Sequence, residues 1–152
     1  AQAALTDKLA SLNLPPVLGT GSPFAAKVSG RTYAVDGNSL NLEAITLNFN
    51  QDGCEVIFKT AKGDETIPCG YGRWQMGETT LFNQPLLFDR AKVATSGAWT
   101  AAETFTMIFR LYETPFFHTV DCHFAGAELM IESRINVSLE SLEPVLMLAQ
   151  PA

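Results

Sequence analysis

Serines are the side chains of this sequence that could act as acyl-transfer nucleophiles, and none of them stands in a catalytic motif. A Ser-x-x-Lys enzyme needs the lysine one helical turn after the serine, where the amine can take the hydroxyl proton. No serine here has that lysine, and no Gly-x-Ser-x-Gly elbow occurs. Ser22, in Gly19-Thr20-Gly21-Ser22, imitates the elbow only poorly. We therefore predict a chain without a catalytic nucleophile, so not an enzyme by itself.

The two histidines, His118 and His123, are the next candidates. A spacing of five in a strand puts them on opposite faces, so one regular strand cannot present both to a metal. His118 shares a face with Cys122, but four positions along a strand is about 13 Å. We expect His118 to be a core residue and His123 to lie at the surface.

Carboxylate pairs could supply acid–base chemistry in a glycosidase-like site. Asp64-Glu65, and Glu140 with Glu143, fall at turns and near the C-terminus, where a solvated role is expected. The sequence predicts no catalytic residue, no metal site and no cofactor.

Aromatic residues give the one candidate ligand site. Tryptophans beside glycine-rich turns and strand ends are typical of barrel rims, where they plug the barrel or contact a ligand. Plugging is the interpretation we favour, with a sugar or lipid ligand as the alternative. The candidate ligand-binding residues are Tyr71, Arg73, Trp74, Trp99, Tyr112 and Glu113.

Composition limits the partners of this 152-residue chain. It is 47% hydrophobic and carries a formal charge of −6, so it can bury one core but lacks the clustered basic residues that nucleic acid requires. No apolar run is long enough for a helical membrane span, so no membrane insertion is expected. The sequence begins at Ala1 without an initiator Met and without the charged and apolar regions of a signal peptide. We therefore expect Ala1 to be a processing boundary.

Hydrophobic spacing predicts one short helix followed by strands. Leu5, Leu9 and Leu12 have helical spacing, and Pro15-Pro16 ends that segment. Beyond about Ala25 the period becomes two. The predicted strands lie near residues 27–35, 45–52, 56–61, 67–69, 87–96, 104–112, 116–124 and 129–137, with a long loop over 70–85.

Two hairpins have a predictable register. Gly126 suits a type II′ turn, which pairs Phe124 with Leu129 and Cys122 with Ile131. A tight Lys62-Gly63 turn would pair Val56 with Cys69 and leave Cys54 diagonal to it. A turn two residues longer would place Cys54 opposite Cys69 and permit a disulfide. We favour the tight turn and free thiols, and the alternative stays open.

These patterns predict an all-β domain: an antiparallel up-and-down barrel of about eight strands with a short N-terminal helix, because closure removes exposed edges. The predicted segments are a helix and linker over 1–24, the barrel over 25–140 and a C-terminal tail over 141–152.

Several motifs resemble a known family. Val28-Ser29-Gly30-Arg31-Thr32-Tyr33, Cys69-Gly70-Tyr71-Gly72-Arg73-Trp74, Ser96-Gly97-Ala98-Trp99-Thr100, Tyr112-Glu113-Thr114-Pro115-Phe116 and Asn136-Val137-Ser138 resemble the C-terminal domain of bacterial β-lactamase-related, penicillin-binding-protein-like serine hydrolases. The resemblance implies a lipocalin-like barrel, a periplasmic or secreted location and a catalytic domain upstream of Ala1. Trp99 would cap the barrel, and Glu113 would accept backbone N–H bonds across its turn.

Two functions follow. As an accessory domain, the barrel would dock on the catalytic domain through its N-terminal helix or a rim and shape the cleft. As a binding module, it would hold a small apolar molecule or a glycan in its mouth. A barrel interior filled by large side chains favours the first, and a cavity above roughly 300 Å³ favours the second.

Overall fold

The computed structural model describes residues 2–82 and 89–152. Two helices and ten strands lie in these ranges. They are α1 (Gln2–Ala10), α2 (Ala25–Val28), β1 (Thr32–Val35), β2 (Leu42–Phe49), β3 (Gly53–Thr60), β4 (Gly63–Gly70), β5 (Gln75–Thr79), β6 (Ala91–Ala101), β7 (Thr104–Arg110), β8 (Phe117–Ala125), β9 (Glu128–Ile135) and β10 (Val145–Pro151).

The strands form one sheet that rolls into a barrel, in the order β4-β3-β2-β1-β10-β9-β8-β7-β6-β5. Every ladder between neighbours is antiparallel, and a single parallel bridge from Gly70 to Ser96 joins β4 to β6. The predicted all-β barrel with an N-terminal helix is therefore confirmed. The two strands beyond the predicted eight are β5 and β10.

β10 corrects the predicted C-terminal tail over 141–152. It pairs with β9 on one side and with β1 on the other, where Tyr33 faces Pro151. Met147 and Ala149 point into the core and are almost fully buried. The barrel therefore runs to Pro151. Its first strand begins at Thr32, because residues 25–28 form α2.

The predicted loop over 70–85 is also corrected. β5 lies inside it and pairs with β6, with Gln75 opposite Thr95 and Thr79 opposite Ala91. Within β5, Gln75, Gly77 and Thr79 point inward. Because none of these three has a large apolar side chain, the strand shows no alternation of apolar and polar residues that would predict it. The remainder of that prediction, and the start of the strand predicted over 87–96, includes residues 83–88, which lie outside the described ranges.

Of the two predicted hairpin registers, one is confirmed and the other is wrong. The β8–β9 ladder pairs Phe124 with Leu129 and Cys122 with Ile131, as predicted from Gly126. In β3–β4 the tight Lys62-Gly63 turn is wrong, because Thr60 faces Gly63 across Ala61-Lys62.

The side chain of Thr60 explains this different turn. Its hydroxyl accepts from the Lys62 N–H at 3.2 Å and donates to the Gly63 carbonyl at 3.1 Å. Cys54 therefore faces Cys69 directly; both thiols are buried and free.

The barrel interior is filled by side chains. Its largest fully buried members are Tyr33, Ile45, Leu47, Val56, Ile67, Val93, Phe105, Met107, Phe109, Val120, Leu129 and Ile131. A void of about 10 Å³ remains between Leu42, Phe58 and Met147, which is at the lower limit for one water molecule. The fold therefore leaves no ligand-sized cavity among these side chains.

A seam runs between β4 and β5. These strands share no backbone ladder among the described residues, and Pro68 lacks an N–H to offer on this edge. The Glu65 carboxylate crosses the seam and accepts from the Thr79 hydroxyl at 2.8 Å and from the N–H and hydroxyl of Thr80. Burial alone would raise the pKa of Glu65, but these hydrogen bonds outweigh it and lower the pKa.

The N-terminal helix is the least integrated element. α1 has no buried residue, and Leu5 and Leu9 are each 58% exposed. The predicted helix is present, but its apolar side has no packing partner in the part of the chain described here.

Candidate functional site

The structure does not bring the six candidate ligand-binding residues together. Tyr71 and Trp99 lie at the barrel end next to α2, which we call the helix end, and both belong to one aromatic cluster with Phe105. Tyr112 and Glu113 follow β7 and lie at the opposite end of the barrel.

Arg73 and Trp74 occupy positions outside that cluster. Arg73 forms an exposed ion pair with Asp52 at 3.9 Å. The Trp74 indole N–H donates to the Leu14 carbonyl at 2.8 Å, and the ring lies against the Arg110 guanidinium on the outer wall. Neither residue lines the groove at the helix end that is described below.

The Tyr112–Phe116 turn is held by Thr114 rather than by Glu113. The Thr114 hydroxyl donates to the Leu111 carbonyl at 2.8 Å and accepts from the Phe116 N–H at 3.1 Å. Glu113 instead pairs with Lys92 at 2.9 Å, and this carboxylate raises the pKa of Lys92. The prediction that Glu113 caps the turn is therefore wrong.

A broad, open groove lies at the helix end beside Tyr71 and Trp99. Its volume is about 550 Å³, within the range of small-molecule sites. Its lining residues are Gly21, Ser22, Ala25, Ala26, Ser29, Phe49, Asn50, Gln51, Tyr71 and Trp99. None of these side chains is charged, so the groove suits a neutral molecule.

Trp99 forms the floor of this groove. It is 2% exposed, and its ring lies 5.2 Å from Phe49 and 5.4 Å from Phe105 between centroids. Phe24 packs edge-on against it at 6.3 Å. Through these contacts Trp99 caps the barrel interior at the helix end.

Two polar groups meet at this aromatic floor. The Trp99 indole Nε1 is buried and has no hydrogen-bond partner of good geometry among the described residues, although the Tyr71 side chain lies close by. Burial raises the pKa of Tyr71 to about 12, so the phenol stays protonated and can donate. A buried indole N–H normally has an acceptor, and the neighbouring Tyr71 side chain is the group that can provide it here.

The segment before α2 builds one wall of the groove by docking on β6. The Val17 N–H donates to Ser96 Oγ at 3.0 Å, and the Thr20 N–H donates to the Trp99 carbonyl at 3.1 Å. Ser96 Oγ in turn donates to the Gly70 carbonyl at 3.3 Å. A Cβ on Gly19 would lie 2.3 Å from the Trp99 carbonyl oxygen. This docking gives the Ser96-Gly97-Ala98-Trp99 motif a structural role.

The serine and the two histidines considered for catalysis make contacts that stabilise the fold. The Ser22 hydroxyl donates to the Ala102 carbonyl at 2.7 Å and accepts from the Phe24 N–H at 3.1 Å. His118 points inward and stacks on Phe82 at 4.6 Å, whereas His123 contacts the Thr104 hydroxyl at 3.1 Å on the outer face. The predicted opposite faces of the two histidines are confirmed.

Residues 2–82 and 89–152 contain no cluster of metal-ligating side chains, and none of their helices is long and apolar enough to cross a membrane.

Comparisons with known proteins identify the fold. No protein-family model and no curated protein matches the sequence. Among solved structures, a Schistosoma mansoni fatty acid binding protein in complex with arachidonic acid matches with a TM-score of 0.63 at 8% identity, over 87% of this chain and 99% of that one. A fatty acid-binding protein from brain tissue of Drosophila melanogaster gives 0.59 at 13% identity, over 81% and 98%.

Human cRBP IV also matches, with a TM-score of 0.55 at 12% identity, over 82% of this chain and 98% of that one. None of these comparisons links the chain to β-lactamase-related serine hydrolases. At these identities the likeness shows the fold alone: the chain is a lipocalin-like β-barrel similar to those of fatty-acid-binding proteins.

Proposed function

We propose that the chain is a lipocalin-like binding module that holds a small, uncharged, largely apolar molecule in the groove at the helix end. The observation that carries the proposal is the groove of about 550 Å³ beside Tyr71 and Trp99, whose lining contains no charged side chain. The Tyr71 hydroxyl would donate to a ligand oxygen or accept from a ligand N–H, and the apolar part of the ligand would lie on the aromatic floor.

The packed interior supports this location over the barrel core. By the volume criterion set out above, a void of about 10 Å³ cannot hold a ligand, whereas the groove exceeds 300 Å³. The solved fatty-acid-binding structures of the same fold favour a binding role for the chain, although their identities of 8–13% carry no site residues over.

Fluorescence titration tests the proposal. N-phenyl-1-naphthylamine, a neutral apolar probe, should bind saturably with enhanced emission. Trp99→Phe should weaken binding about tenfold, because the smaller ring gives the aromatic probe less surface to lie on at the floor of the groove. Ala26→Trp, at an exposed lining position, should fill the groove and abolish binding. Trp74→Phe is the matched control, because Trp74 lies on the outer wall.

The probe results that contradict the proposal are equally definite. Saturable binding that survives Ala26→Trp places the ligand elsewhere. No binding by the unaltered chain removes the binding function itself.

An accessory role in a serine hydrolase is the second candidate, and the apolar side of α1 favours it. Leu5 and Leu9 are exposed on α1, and Leu12 is exposed just after it. Because α1 buries no residue in the described structure, it could dock on another domain of the same polypeptide. The parent hydrolase and the periplasmic or secreted location rest on the motif resemblance. A Ser-x-x-Lys motif in the gene upstream of Ala1 would support this role, and its absence would overturn it.

A further inference from the structure

The outer wall of the barrel contains an arginine held between two aromatic rings. The Arg110 guanidinium carbon lies 4.5 Å from the Phe117 ring centroid and 5.6 Å from the Trp74 ring centroid. Both distances are within the range of favourable cation–π contacts. Trp74 is itself fixed, because its indole N–H is bound to the Leu14 carbonyl. The guanidinium is therefore positioned before any ligand arrives.

Arg110 differs from the three arginines that form ion pairs in the described structure. Arg73, Arg90 and Arg134 each contact an Asp or Glu carboxylate within 4 Å. In residues 2–82 and 89–152 Arg110 has no such carboxylate, and its Nε is buried without a hydrogen-bond partner. A positioned, partly desolvated cation lacking its usual anion is an electrostatically incomplete arrangement.

The surroundings define the shape of an incoming anion. Across the outer face, Met76 faces Ala94, Ala94 faces Arg110, and Arg110 faces Phe117. Ala94 is only 6% exposed, whereas Met76 on its far side is 64% exposed. Lys92, the nearest other cation along β6, is already paired with Glu113.

We propose that Arg110, with Trp74 and Phe117, forms a binding site for a small aromatic carboxylate on the outer wall of the barrel. The rings lie over the guanidinium, so an anion reaches its N–H groups along their edge. A planar carboxylate matches that edge with two parallel hydrogen bonds. The apolar part of the ligand would lie against the exposed side chain of Met76. This site is separate from the groove at Trp99.

Arginine side-chain NMR tests the site directly. In the full chain labelled with ¹⁵N-arginine, benzoate should shift the Arg110 Nε–Hε resonance saturably. Benzamide, the neutral analogue, should leave that resonance in place. Arg110→Lys keeps the charge but loses the planar fork, so benzoate affinity, followed by ring-proton shifts of Trp74, should fall about tenfold or more. Arg90→Lys, at an exposed ion-paired arginine, is the matched control.

Two outcomes would overturn the site. Equal benzoate-induced shifts at all arginines would show non-specific association. An unchanged Arg110 resonance would show that Arg110, Trp74 and Phe117 only pack against one another on the outer wall. Binding of N-phenyl-1-naphthylamine should be unaffected by Arg110→Lys, which keeps this test independent of the groove.

Discussion

Gly97 is a residue at which one added methyl group has no room. A Cβ there would lie 2.6 Å from Cys69 Sγ, 2.8 Å from Phe105 Cζ and 3.1 Å from the Thr106 carbonyl oxygen. Gly97→Ala should therefore lower the free energy of unfolding by about 1–3 kcal/mol, measured by urea denaturation. Gly37→Ala, at a position with open space, is the control. Equal losses in the two variants would contradict the crowding.

His118 should make stability fall in mild acid. Burial lowers its pKa to about 4 from 6.5, so between these values the unfolded chain binds a proton that the folded chain does not. Stability should be complete above about pH 6.5, fall as the pH drops toward 4, and lose on the order of 3 kcal/mol in total.

The control for this prediction is His118→Phe, which retains an aromatic ring beside Phe82. Urea unfolding at a series of pH values should show a flatter profile between pH 6.5 and 4 in this variant. A profile as steep as that of the unaltered chain would assign the effect to other groups.

At the residue scale, the sequence predicts faces better than partners. The period of two places His118 inward and His123 outward, as found. It cannot show that Ser96 binds the Val17 N–H, a contact 79 residues apart, or that Trp74 binds the Leu14 carbonyl. Those roles depend on where a distant segment docks.

Among the elements, α1 and the segment that follows it should differ sharply in importance. Deleting residues 1–11 should leave the melting temperature almost unchanged, since α1 buries nothing in the described structure. Gly19→Val should lower it by several degrees, because a side chain there meets the Trp99 carbonyl and displaces the docked segment. Differential scanning calorimetry decides; a large loss on deleting 1–11 would contradict the exposed position of α1.

The three buried thiols, two of which face each other in the β3–β4 hairpin, should be alkylated slowly in the native protein. Burial raises the pKa of Cys54, Cys69 and Cys122 well above the ordinary value, so little thiolate forms at neutral pH. Iodoacetamide should therefore modify the native protein slowly and all three thiols quickly in denaturant, as counted by mass spectrometry. Rapid native labelling would show that the thiols are accessible, and only one modifiable thiol in denaturant would reveal a Cys54–Cys69 disulfide.

Sequence patterns predicted element type more reliably than register. Gly126 by itself determines the β8–β9 turn, because its φ of 63° favours glycine. The β8–β9 register predicted from it is confirmed. At the β3–β4 turn the alternatives were Lys62-Gly63 and a turn two residues longer, whereas the structure has a two-residue Ala61-Lys62 turn that hydrogen bonds of the Thr60 hydroxyl stabilise. A local pattern cannot weigh those bonds against the glycine preference.

For the whole molecule, β10 should be indispensable. Removing residues 144–152 would expose the facing edges of β1 and β9 and uncover Tyr33, Ile131 and their neighbours. The truncated chain should lose its cooperative unfolding transition in circular dichroism. Retention of a sharp transition would mean that the barrel closes without this strand. Truncation after Pro151 removes only Ala152 and is the control.

The barrel itself was predictable, since alternation, turn spacing and the need to remove edges all indicate it. Its final strand was missed because Leu146 and Leu148 face outward and stay exposed, so residues 145–151 show no alternation of apolar and polar positions. The aromatic groove was predicted only through Tyr71 and Trp99. Its other wall comes from the segment before α2, which no local pattern connects to the rim.

The seam between β4 and β5 determines how this barrel can assemble. Every other boundary is a ladder of several residue pairs, whereas this one depends on the Gly70–Ser96 bridge and the Glu65 carboxylate among the described residues. The whole ten-strand ribbon can therefore form before its ends meet. We expect folding to be a rolling process in which β1 and β10, the paired strands farthest apart in sequence, meet inside an open sheet. The seam should then form last, and its amide hydrogens should exchange first in a native-state exchange experiment.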